Sequence, residues 1–161
     1  MAKVLIIDDD EQVRSTLAEV VETLGYEVRT AANGRLGLEA FSREPFDCVI
    51  TDLAMPEVDG LGVLRQVKQW KPHTGVFVIT GNSTVDLLAA SVNMGADAYV
   101  TKPFKIRVID EQLRRLVAAA SGEHPRKAAA GGLLSTRLPL GWAIALVVTA
   151  AAAAHVITRL L

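Results

Sequence analysis

Apolar residues along this chain fall into two alternating patterns. Val4–Ile7 is an unbroken apolar run that ends in acids. Cys48–Thr51 is a second run, ending at Asp52, and Val76–Ile79 a third, ending in Thr80 and Gly81. Short continuous runs of β-branched and apolar residues predict strands covered on both faces. Weaker runs at Glu27–Ala31 and Asp97–Thr101 complete a set of five. Between them the period changes to three and four. Val13, Leu17, Val20, Val21 and Leu24 share one helical face, closed by Gly25 as a stop. Helices are likewise predicted over Asn33–Ser42, Gly60–Trp70, Val85–Met94 (before Gly95) and Ile106–Ala119.

Strand then helix, repeated five times within residues 1–120, predicts an α/β domain. Its sheet is parallel, joined by right-handed crossovers, with helices on both faces. In such sheets the active crevice lies beyond the carboxyl ends of the strands. The residues there are Asp8, Asp9 and Asp10, then Asp52, Thr80 and Lys102.

Composition narrows the class. The chain has 161 residues, 50% of them hydrophobic, and a net charge of −1, which excludes a disordered or strongly basic chain. The charge is uneven. Residues 1–120 carry 13 Lys/Arg and 17 Asp/Glu, whereas residues 121–161 carry 4 and 1, so the tail alone is positive. The single cysteine, Cys48, cannot form an intramolecular disulfide and reads as a small core residue. No cleavable leader opens the chain, so the domain is expected in the cytoplasm.

Asp8, Asp9 and Asp52 converge from two strand ends. Crowded carboxylates repel one another, and a divalent cation relieves that repulsion. Oxygen donors without His or Cys favour Mg²⁺ over Zn²⁺. Asp10 and Glu11 are read as first-turn helix charge, favoured by the macrodipole. Taken singly, Lys102 could be a solvated lysine and Thr80 an ordinary strand residue. Together with the acids at separate strand ends they suggest a phosphoryl site, Lys102 as a point charge and Thr80 as a hydroxyl donor.

These stretches resemble the receiver domain of two-component response regulators. The similarity is carried by Val4–Asp9, Asp47–Gly60, Val78–Gly81, Gly95–Tyr99 and Thr101–Phe104. The resemblance implies a flavodoxin-like doubly wound sheet of strand order 2-1-3-4-5. It implies that Asp52 is the phosphoacceptor and that Mg²⁺ is the cofactor. Asp9 would hold the metal directly, Asp8 through water, and Ala54 through its backbone carbonyl. Lys102 would contact the phosphoryl group, with a cis peptide before Pro103. Thr80 and Tyr99 would form a switch pair, Tyr99 rotating into space that Thr80 vacates. The implied donor is a sensor histidine kinase or a phosphotransfer protein. Output would go to a protein partner through the face of the fourth helix, fifth strand and fifth helix. Ala54 and Asn82 flank the site and would tune phosphoryl loss.

The tail reads differently. Residues 121–137 are rich in Gly and basic residues without period, as in a flexible linker. Residues 138–158 contain no Asp, Glu, Lys or Arg, and about 20 helical residues cross a bilayer core of roughly 30 Å. A C-terminal hydrophobic helix spanning the inner membrane once is expected. Arg126, Lys127 and Arg137 before it, against Arg159 after it, keep the receiver on the cytoplasmic side. The chain leaves no room for a DNA-binding output domain, so no nucleic-acid partner is expected. Two alternatives compete. One is a soluble receiver with a C-terminal oligomerisation helix. The other is a small-molecule phosphohydrolase with Asp52 as nucleophile, which Ala54 disfavours because a second acid belongs there.

Overall fold

The computed structural model describes residues 1–81 and 84–120. Strands β1 (Lys3–Ile7), β2 (Glu27–Ala31), β3 (Cys48–Thr51), β4 (Gly75–Thr80) and β5 (Ala98–Thr101) alternate with helices α1 (Glu11–Thr23), α2 (Gly34–Arg43), α3 (Gly60–Trp70), α4 (Val85–Asn93) and α5 (Ile106–Ala120). The sheet order is β2-β1-β3-β4-β5 and each neighbouring pair runs parallel.

The doubly wound arrangement follows from alternation along the strands. In β1, Leu5 and Ile7 join a core with Phe41, Val63, Leu64 and Val67 from α2 and α3. Val4 and Ile6 point the other way, onto Leu17 and Val21 of α1 and Ile109 and Leu113 of α5. Both sets are buried, which is why these strands read as unbroken apolar runs rather than as alternating ones. Cys48 is fully buried in the second core, and burial raises its thiol pKa well above the ordinary value. It is a packing residue.

Local signals set the helix starts. Asp10 caps α1 by accepting from the Gln12 and Val13 amides, and Glu11 sits in the first turn. Asn33, Asp59 and Thr84 cap α2, α3 and α4 in the same way. Gly25 and Gly95 follow helices α1 and α4 with φ of 91° and 90°, the left-handed conformation that only glycine adopts at little cost.

The register places the chemistry. Ile7 pairs with Thr51, so the next residues, Asp8 and Asp52, emerge side by side. Thr80 pairs with Thr101, which brings Lys102 out beside the end of β4. The chain leaves β1 toward β2 on one side and reaches β3 on the other, so the crevice opens at this switch point.

Among the described residues no helix is long and apolar enough to cross a membrane. The linker 121–137, the span 138–158 and Asn82 all lie outside the described residues.

Candidate functional site

Asp8 and Asp52 are almost fully buried, whereas Asp9 is exposed at the rim. Each can offer one oxygen to a common point, the three oxygens lying within 4.8 Å of one another. Lys102 crosses the crevice from beyond β5. Its Nζ donates to Asp8 Oδ2 at 2.8 Å and to Asp52 Oδ2 at 2.6 Å. The peptide between Lys102 and Pro103 is cis. The backbone supplies further contacts: Asp10 N–H donates to Asp8 Oδ1 at 2.9 Å, and Ala54 N–H to Asp52 Oδ1 at 3.1 Å.

Two of the three carboxylates therefore share one ammonium, the third lies at the rim, and negative charge is left over. Burial pushes the Asp8 carboxyl above its ordinary range. Hydrogen bonds from Lys102 and the Asp10 amide oppose this, and the Asp52 charge adds to it. Burial alone would lower the Lys102 ammonium, but its bonds to Asp52 and Asp8 outweigh that, and its pKa is raised. An excess of buried carboxylate around an open rim, with oxygen donors throughout, suits a hard divalent cation.

Thr80 is fully buried at the end of β4, and its carbonyl accepts from the Lys102 amide at 2.8 Å. Tyr99 lies in β5. Its hydroxyl is already out of solvent and has no hydrogen-bond partner among the described residues. Burial and the nearby Asp52 charge raise the phenol's pKa. The residue packs against the α2–α3–α4 side of the sheet.

Gly60 is a backbone support for the site. A Cβ there would collide with the backbone carbonyl of Asp52 and lie 2.8 Å from the Leu53 Cα. Gly60 N–H instead donates to Leu53 O at 3.1 Å, strapping the segment after the phosphoacceptor candidate against the start of α3. A glycine directly after the helix cap Asp59 was the available signal. In the same loop Glu57 holds a φ of 66° while Val58 N–H reaches Pro56 O at 2.9 Å, a tight turn that strains a residue with a Cβ. His73 is exposed, and Trp70 stacks on Phe41 at 6.5 Å at the far end of α3.

A five-stranded switch-point sheet bearing an acidic crevice bridged by lysine is the architecture of a signal receiver. Residues 4–114 match the family described as response regulator receiver domain, and this chain belongs to that family. It is 31% identical over 122 residues to the transcriptional regulatory protein QseB of Haemophilus influenzae, covering 76% of this chain and 55% of that protein. It is 33% identical to the response regulator MprA of Mycolicibacterium vanbaalenii, covering 71% of this chain and 50% of that protein. The chain thus spans about half the length of these curated relatives. A receiver domain protein from Clostridium thermocellum superposes with a TM-score of 0.72 at 30% identity, over 75% of this chain and 98% of that one. A CheY-like receiver domain protein from Methanospirillum hungatei gives 0.73 at 28%, over 77% and 99%.

Proposed function

We propose that this chain is a phosphoacceptor that takes a phosphoryl group on Asp52 from a phosphohistidine of a sensor kinase or phosphotransfer protein. The observation that carries the reading is the single Lys102 ammonium bonded to both Asp8 and Asp52 inside a carboxylate-rich crevice. Family membership supports it. Asp8, Asp9, Asp52 and the carbonyl of Ala54 would hold Mg²⁺. The ion, when bound, offsets charge on the phosphoryl oxygens.

The chain's own residues do the rest. An Asp52 carboxylate oxygen attacks the phosphorus in line. The new oxygen–phosphorus bond forms as the phosphorus–nitrogen bond of the donor breaks, and the donor histidine leaves with the electron pair. Lys102 is already at hydrogen-bond distance and needs only to exchange a carboxylate contact for a phosphoryl oxygen. The acyl phosphate is more negative than the carboxylate it replaces. Thr80, at the adjoining strand end, is the hydroxyl drawn toward it. Its movement vacates space into which Tyr99, whose hydroxyl is buried with no partner among the described residues, rotates. That biases the face formed by α4, β5 and α5 toward a downstream protein.

The test is intact mass after incubation with Mg²⁺ and a small acyl phosphate. Wild type should gain one phosphoryl group. Asp52→Ala should gain none, and an equal adduct on both would end the reading.

For the tail, we propose a single-pass inner-membrane anchor at residues 138–158, with the receiver on the cytoplasmic side. Support comes from the charge-free length and the basic residues preceding it. Full-length chain should pellet with membranes and residues 1–120 should not. Recovery of the full-length chain as a soluble oligomer would favour the oligomerisation helix instead.

A further inference from the structure

Among the three acids of the crevice, two are held by side-chain contacts. Asp8 is gripped by Lys102 and the Asp10 amide, and Asp52 by Lys102 and the Ala54 amide. Asp9 is different. Its carboxylate is exposed, and none of the described residues hydrogen-bonds to it. Only its backbone can aim it.

That backbone is clamped from one turn away. Arg14, in the first turns of α1, folds back so that its Nη1 donates to the Asp8 carbonyl at 2.8 Å. This carbonyl belongs to the peptide joining Asp8 to Asp9. On its flanks, Asp8 N–H donates to Ala31 O at 3.3 Å, and the Arg14 amide donates to Asp10 O at 2.9 Å. Asp10 is itself locked as the cap of α1. The result is a closed ring of contacts running from β1 through Asp9 into the helix, with the Arg14 guanidinium as its side-chain link.

We propose that Arg14 is a positioning residue for the divalent cation: by fixing the Asp8–Asp9 peptide it aims the Asp9 carboxylate into the crevice. The inference rests on the metal-binding reading of Asp8, Asp9 and Asp52. Two effects of Arg14 on a cation oppose each other, which makes the idea testable. As a positive charge beside an acidic loop, Arg14 repels a divalent ion, so its removal would tighten binding. As a clamp it preorganises a ligand, so its removal weakens binding. Partners that orient metal ligands are typically worth about 10- to 100-fold in affinity, whereas a screened charge near a rim is worth less. The clamp should therefore prevail.

The experiment is calorimetric Mg²⁺ titration of the full-length chain in one detergent for every variant, beside thermal melts without metal. Arg14→Ala should bind Mg²⁺ about tenfold more weakly than wild type. Arg14→Lys, which keeps the charge but not the planar fork, should also weaken it, by less, and provides a second variant should alanine fail to fold. A purely structural role would lower the melting temperature and leave the Mg²⁺ affinity of the folded protein unchanged. Unchanged or tighter Mg²⁺ binding in both variants overturns the proposal. Asp9→Asn separates the two levels: if it binds Mg²⁺ as wild type does, or if wild type takes up none, the metal-site reading fails and this inference with it.

Discussion

The two ends of the sheet handle charge in opposite ways. At the amino end, carboxylates are matched. Asp97 Oδ2 accepts from the Val76 amide at 2.8 Å and from Lys68 Nζ at 2.6 Å. Lys68 also reaches the carbonyls of Pro72 and Thr74, and Arg115 donates to the Asp97 carbonyl. Asp47 accepts from the Lys3 amide, while the Lys3 ammonium pairs with Glu27 and Glu44. At the carboxyl end, Asp8 and Asp52 share Lys102 as their one ion-pair partner among the described residues, and Asp9 has none among them. The same residue types thus hold a fold together at one end and leave an unmet demand for cation at the other. Buried carboxylates are tolerated where a partner is built in. Where it is omitted, the omission costs stability and leaves room for chemistry.

The contrast can be broken at either end, and the signs should differ. Asp97→Ala removes the acceptor of the Val76 amide and the partner of the half-buried Lys68. It should destabilise by about 3 kcal/mol, measured by urea unfolding, because a buried donor is left without an acceptor. A loss near zero would show that the amino end is not a structural clamp.

At the carboxyl end a divalent cation should be stabilising. Mg²⁺ at 100 times its dissociation constant should raise unfolding free energy by about 2.7 kcal/mol, through preferential binding to the folded state. An unchanged urea midpoint on adding Mg²⁺ would contradict the demand for cation.

The smallest effect is the sharpest in sign. Without metal, Asp8→Asn should stabilise, on the order of 1 kcal/mol near neutral pH, because it removes a desolvated charge and keeps a polar group. The pH dependence follows from the raised pKa of Asp8. A carboxyl whose folded value lies above its ordinary 3.8 favours folding most when protonated. Its contribution is full below that value and is lost as pH rises through the folded one. The variant's advantage should therefore vanish in acid and grow toward neutrality. Denaturation series in EDTA at several pH values check this, and a gain that persists at the acid end would mean another cause. Adding Mg²⁺ should reverse the ranking.

Much of the fold was legible in sequence because its signals are local. Val4–Ile7 and Val76–Ile79 are apolar at every position, and only a strand covered on both sides needs that. The caps Asp10, Asn33, Asp59 and Thr84 mark where helices start, since free amides at a helix end need an acceptor nearby in sequence. Helix edges moved by a residue or two. α1 begins at Glu11 rather than at Val13, because periodicity registers buried faces and ignores the exposed first turn. The acids and Lys102 were legible as a set through their shared position after strands. Gly60, Arg14 and the Lys68–Asp97 tie were not. Each acts on a partner whose proximity no periodicity encodes: the Asp52 carbonyl, the Asp8 carbonyl and the start of β4.

The sequence by itself determined that β-strands and helices alternate, that acids, a threonine and a lysine end those strands, and that one charge-free stretch follows. Only the tertiary structure decided how those ends meet. It aligned Ile7 with Thr51, drew Lys102 onto two carboxylates, and put the Tyr99 hydroxyl out of solvent with no partner among the described residues. The physical reason is range. Propensity and hydrophobic period act within a few residues, whereas register and charge balance are set between residues that lie far apart in sequence, once packing has fixed them in space.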